Sequence, residues 1–152
     1  MPINYVDAQD EMYALLLAAW NANTSAIVGY IPELRYQNVI NPAKPDSSKY
    51  WARLSIQTVT EEQATLATNI SGEGQSRYTT NGLIFVQVFA PLSDSLAGRN
   101  GQLISQVAKK AFRGHTTSGK VWFRNGRIQE LPDDSQFARF NVVTQYQYDE
   151  LS

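Results

Sequence analysis

The chain has 152 residues, a formal net charge of -1 and no cysteine. Its length is that of about one domain, enough for a real core without staples. The missing cysteines exclude disulfides, Cys-ligated zinc, iron–sulfur clusters and thiol catalysis, and the near-neutral charge argues against a general nucleic-acid or anionic-membrane binder. With 43% hydrophobic and 11% aromatic residues the composition is that of a folded chain. The opening residues, MPINYVDAQDEMY, carry no basic segment, and no apolar run reaches membrane-spanning length. The expectation is one soluble domain over residues 1–152, made in a cytoplasm.

Asn4 to Asn23 has helical periodicity, with Tyr5, Ala8, Met12, Leu15, Leu16 and Ala19 on one face. Asn4 or Asp7 can cap it, and Asp7, Asp10 and Glu11 suit the positive end of the helix dipole. Tyr13, Leu17 and Trp20 widen the apolar surface beyond what a sheet alone would cover. The helix ends in Asn21–Ser25, and Gly29–Pro32 reads as a turn. Leu34–Ile40 reads as a strand and Asn41–Lys49, with its prolines and serines, as a surface loop. Trp51–Thr60 alternates cleanly: Ala52, Leu54 and Ile56 face in, Arg53, Ser55 and Gln57 face out. Glu61-Glu62 then reads as a turn, Gln63–Asn69 as a short partner strand and Gly72–Ser76 as a second loop.

Gly82–Pro91, GLIFVQVFAP, is the centre of the pattern. Leu83, Phe85 and Phe89 point one way and Ile84, Val86 and Val88 the other, so both faces are apolar and a central strand covered on both sides is expected. A third polar loop, 92–101, precedes a helix over Arg99–Phe112, and Ser93 or Asp94 can cap that turn. Lys109, Lys110 and Arg113 fall near the helix end, where the dipole favours them, and Gly114 stops it. Gly119–Leu131 holds a strand, with Asn125-Gly126 as a hairpin turn or bulge. After the Pro132-Asp133-Asp134 turn, Phe137–Tyr148 is the last strand. Strands that run together between helices give an α+β fold: a mixed, mostly antiparallel sheet of about five to six strands with two main helices, most simply on one face.

Catalytic signals are weak. His115, the single histidine, lies in a Gly-His-Thr-Thr-Ser-Gly loop without a nucleophile elbow, and reads as a solvated loop residue; a small hydrolase using it is the enzymatic alternative. Glu61-Glu62, Asp133-Asp134 and Asp149-Glu150 are adjacent pairs, which on a strand face opposite ways. No cofactor or metal site is expected. Trp51, Trp122, Tyr146 and Tyr148 accompany Arg53, Arg124 and Arg139, a set that serves single-strand or RNA binding, core packing or a protein interface. The charge balance favours core or interface.

Trp51-x-Arg53-x-Ser55-Ile56, GLIFVQVFAP, a polar loop leading into a helix that ends Ala111-Phe112, Val121-x-Phe123 and the closing FNVVTQYQYDE from Phe140 to Glu150 form a familiar order. It resembles the tail terminator proteins of long-tailed bacteriophages, the group related to the lambda tail terminator. The resemblance covers most of the chain. It implies a non-enzymatic virion protein at the head-proximal end of the tail, present in the host cytoplasm before assembly. Such a protein forms a homohexameric ring that caps the tail tube, ends tube polymerisation and offers a surface to the head–tail connector. Its partners are itself, the tail tube protein and the connector, with neither membrane nor specific nucleic acid. A head-completion or neck connector protein is the alternative in the same setting. Loops 41–49, 69–79 and 92–101 are the expected tube and neighbour contacts, with Lys44, Lys49, Arg77, Tyr78, Arg99 and Asn100 as interface residues.

Overall fold

The structure, a computed structural model, describes residues 3–40, 43–68 and 74–151, and the side chains of all of these except 64–68, 74–76 and 151. The order is α1 (Tyr5–Asn23), α2 (Ser25–Val28), β1 (Glu33–Tyr36), β2 (Trp51–Thr68), β3 (Gly74–Pro91), α3 (Ala97–Phe112), β4 (Trp122–Leu131) and β5 (Phe137–Leu151). The five strands form one sheet in the order β1-β2-β3-β5-β4. β1 runs parallel to β2 and every other pairing is antiparallel, so the expected mixed, mostly antiparallel α+β fold is what forms.

Local chemistry explains the helices. Asn4 caps α1: its Oδ1 accepts from the Asp7 N–H at 2.8 Å. Ala8, Met12, Leu16 and Trp20 recur every fourth residue and are buried. The Trp20 indole N–H donates to the Pro32 carbonyl at 2.9 Å, tying α1 to the segment that enters the sheet. The Thr24 hydroxyl donates to the Trp20 carbonyl at 2.6 Å, and Gly29 closes α2 in the left-handed region at φ 83°. α3 buries Ala97, Gly101, Ile104, Ala108, Ala111 and Phe112. Gly101 lets α3 approach the sheet, because a Cβ there would collide with the Phe140 ring.

Both long helices lie over one face, the inner face. Ala52, Leu54, Ile56, Ile84, Val86, Val88, Phe140 and Val142 share a single core there with Met12, Leu16, Trp20, Ile104 and Phe112. Tyr13 of α1 meets Tyr36 of β1 edge-on at 5.5 Å, and Phe112 of α3 meets Phe123 of β4 at 5.0 Å.

Several sequence expectations need correction. β3 is central, between β2 and β5, but only one of its faces is covered. Ile84, Val86 and Val88 are buried, while Leu83, Phe85 and Phe89 are half-buried by neighbouring side chains. Glu61-Glu62 is no turn: both lie within β2, paired with Thr80 and Thr79, and the proposed partner strand is β2 itself as far as Thr68. Asn69 lies outside the described residues, as do 41–42 and 70–73 of the expected loops. Gly74–Thr79 belongs to β3, and Ala97–Gly101 to the first turns of α3. The strand expected over Leu34–Ile40 stops at Tyr36, because Gln37 and Asn38 turn the chain, with Asn38 at φ 62°. Asn125-Gly126, by contrast, forms the bulge that was one of its two expected readings: Asn125 has φ 55° and the β4–β5 register shifts between Arg124 and Arg127.

Candidate interaction surface

The side of the sheet away from α1 and α3 carries no packed layer among the described residues. Strand pairing fixes its rows. Arg35, Arg53, Gln87, Asn141 and Gln129 form one row, and Ser55, Phe85, Val143 and Arg127 the next. Glu33, Trp51, Phe89, Arg139 and Leu131 form the row on the other side. Gln57, Leu83, Gln145 and Arg124 continue the face toward the bulge. Side chains two apart on one strand share a face, so this parity gathers Arg35, Arg53, Arg124, Arg127 and Arg139 on one side.

Aromatic packing gives this face a rigid corner. The Trp51 ring stacks on Phe89 with centroids 4.0 Å apart and planes 6° from parallel. Phe137 closes against both rings edge-on, at 6.2 and 6.0 Å. The Arg35 guanidinium lies 5.4 Å from the Trp51 ring centre and is held by Glu33 at 2.9 Å. Phe89 and Arg35 thus occupy the Trp51 ring, which removes it as a stacking platform for a base. Tyr146 and Tyr148 are buried, stacked on each other with centroids 6.1 Å apart, and Trp122 alone of the four noted aromatics is exposed. The base-stacking platform the sequence allowed therefore does not form. Two buried polar atoms of this face, Trp51 Nε1 and Asn141 Oδ1, have no hydrogen-bond partner among the described residues.

The six interface residues expected from sequence fall into two groups. Lys49, Arg99 and Asn100 lie where the loop before β2 meets the start of α3. Asn100 donates to the Tyr50 hydroxyl at 3.2 Å, and that hydroxyl donates to Asp94 at 2.7 Å. Burial, then the bond to Asp94, push the Tyr50 phenol up to about 12. Asp94 accepts from the Leu96 N–H at 2.9 Å; that bond and the one from Tyr50 hold its carboxyl below the usual range. Asp94 thus caps the turn that precedes α3, while the helix itself, with Leu96 at its N-cap, has no side-chain cap. Lys49 sits 5.7 Å from the Tyr30 ring centre, and Lys44 is exposed in the same loop. Arg77 and Tyr78 belong to the far end of β3, twelve residues before Phe89 and therefore about 40 Å along the strand. Arg77 pairs with Asp149 at 2.9 Å, and the Thr79 hydroxyl donates to the same carboxylate at 2.7 Å. Arg77 is thus engaged in tying β3 to β5.

The helix layer offers a second surface. A groove of about 500 Å³ runs between α1 and α3, lined by Leu15, Ala19, Ile27, Leu103 and Val107 with Lys110 and His115 at its rim. Next to it, α1 keeps apolar residues on its outer side: Tyr5 is 50% exposed, Val6 62% and Leu17 40%. Glu11 serves the fold, accepting from the Thr117 and Ser118 hydroxyls and the Gly119 N–H at 3.1, 2.6 and 2.8 Å. Among the described residues no group of three or more His, Asp or Glu side chains converges, and no helix is long and apolar enough to cross a membrane.

The sequence reading missed the arginine face as a unit. Arg127 and Arg35 were not singled out, although the alternation of Trp51–Gln57 and Phe137–Gln147 already put the arginines of these strands on the parity opposite the core. No family model matches the chain and no curated protein does. Among solved structures, a protein known only by a sequence identifier is 15% identical over 92% of this chain and 94% of its own, with a TM-score of 0.60. A chain of the virion of a native gene transfer agent particle is 17% identical over 96% of this chain and 99% of its own, with a TM-score of 0.52. The fold described above is therefore shared, end to end, with a chain of a particle of that kind.

Proposed function

We propose that this chain is a structural, non-catalytic subunit of a tailed phage or phage-like particle, and that it terminates the tail. In this reading copies of the chain form a ring on the tail tube, end tube polymerisation and present a surface to the head connector. The observation that carries the particle setting is the end-to-end likeness to a gene transfer agent virion chain. The tail-terminator role rests on the order of the Trp51–Ile56, Gly82–Pro91 and Phe140–Glu150 segments. An unlayered sheet face, an apolar outer helix and long paired strands suit a protein whose work is contact rather than turnover.

Electron microscopy of particles assembled without the chain tests the reading. Headless tails of runaway length are the expected result. Tails of normal length beside filled heads would assign the chain to the head–tail connection instead. Intact particles would overturn both readings.

A further inference from the structure

The subunit carries two surfaces of opposite character on opposite sides. The sheet face gathers Arg35, Arg53, Arg124, Arg127 and Arg139 around the Trp51–Phe89 corner; the acid of its proximal rows is Glu33, already held by Arg35. Across the molecule, α1 has no lysine or arginine at all. Its outer stripe runs Val6, Asp10, Ala14, Leu17 and Asn21, every one exposed, with Asp7 and Ala18 beside it. A helix apolar on its inner side and half apolar on its outer side is one that something else covers.

We propose that the outer stripe of α1 docks on the arginine face of a second copy of this chain. Leu17 then covers the half-buried Phe85 and Leu83, and Asp10, about 10 Å along the helix from Leu17, meets Arg53, with Arg127 on the other side of the apolar patch. Three observations favour a second copy. The charges are complementary within one sequence. Both surfaces combine an apolar middle with charges at its margin, as interface cores do. And because they lie on opposite sides, each copy can use both at once, so the contact is heterologous and propagates into a ring or stack. The occupied Trp51 ring weighs against a nucleic-acid strand as the occupant. This deepens the ring reading above by naming its contact, yet a copy-to-copy contact is measured on the isolated protein, whereas tail termination is measured on particles, so either can fail alone.

The test uses sedimentation velocity at rising protein concentration with two charge-reversed variants, Arg53→Glu/Arg127→Glu and Asp10→Lys/Ala14→Lys. All four positions are exposed, and helical unfolding of each variant by circular dichroism confirms its fold. Wild type is expected to associate, more weakly as salt rises. Each variant alone is expected to stay monomeric, and an equimolar mixture to recover association, because reversed helix then meets reversed sheet. The cysteine-free chain permits a second readout. Leu17→Cys mixed with Ser55→Cys should cross-link between copies about a hundredfold faster than Leu17→Cys mixed with Ser135→Cys, as docking raises the local concentration. Variants that associate as wild type does, a mixture that fails to recover, or equal cross-linking rates would overturn the proposal. So would a wild type that stays monomeric while its arginine face retains a single-stranded oligonucleotide.

Discussion

On one side of β3, Ile84, Val86 and Val88 are almost wholly inaccessible beneath α1 and α3; on the other, Leu83, Phe85 and Phe89 are only half-buried among arginines and glutamines. The same strand thus serves two kinds of surface. The inner face is closed by shape, with Gly101 trimmed to admit Phe140 and Gly82 trimmed to admit Tyr146. The outer face packs its rings on one another at Trp51, Phe89 and Phe137 and surrounds them with arginines, which a partner can rearrange. Stability should therefore reside on the inner side and association on the outer.

Mutations can break this division. Trp20→Ala removes a fully buried ring and its bond to Pro32, and should cost about 3–5 kcal/mol, seen as a lower urea midpoint. Gly101→Ala drives a methyl group into Phe140 and should cost about 1–3 kcal/mol in the same measurement. Trp51→Ala on the outer face loses the Phe89 stack and the Arg35 contact, and should cost less, about 1–2 kcal/mol. Alkaline titration sharpens the contrast. Burial raises the phenols of Tyr50 and Tyr148 from the usual 10.0 to about 12. A raised folded value means their contribution is intact below about pH 10 and is lost as pH climbs toward about 12. Phenolate absorbance should thus rise together with unfolding, and Tyr148→Phe should flatten that loss. The smallest effect belongs to Arg53→Ala, within about 0.5 kcal/mol of wild type in urea. An Arg53→Ala as damaging as Gly101→Ala would erase the distinction between the faces.

The sequence made the inner face legible because period-3.6 and period-2 patterns there are written in apolar residues. Ala8, Met12, Leu16 and Trp20, and Ala52, Leu54 and Ile56, were readable one element at a time. The far halves of β2 and β3 were not. Beyond Thr58 the strand alternation disappears, and Thr60, Glu61, Glu62 and Gln63 are exposed, so an acidic pair that pairs with Thr80 and Thr79 looks like a turn. β3 misled in the opposite direction: apolar residues on both parities predict two covering layers, and the chain supplies one. Among the expected interface residues, Asn100 also bonds Tyr50 and Arg77 also pairs with Asp149, contacts the sequence could not show because it gives a residue's type but not its neighbours. The arginine face required the register, since its members come from β1, β2, β4 and β5.

The position of β5 has a consequence for how the chain comes into being. β5 follows every element it touches, yet it sits between β3 and β4, with pairs that run from Pro91↔Phe137 to Arg77↔Leu151. As the chain emerges from the ribosome, the β2–β3 hairpin can close early, but the apolar edge of β3 stays bare until β5 arrives. β4 likewise has no other strand beside it. Closure must wait for contacts between distant residues, which places folding on the order of milliseconds to seconds rather than microseconds. Through that interval, the strand most able to recruit a foreign edge is the one around which the whole sheet is built.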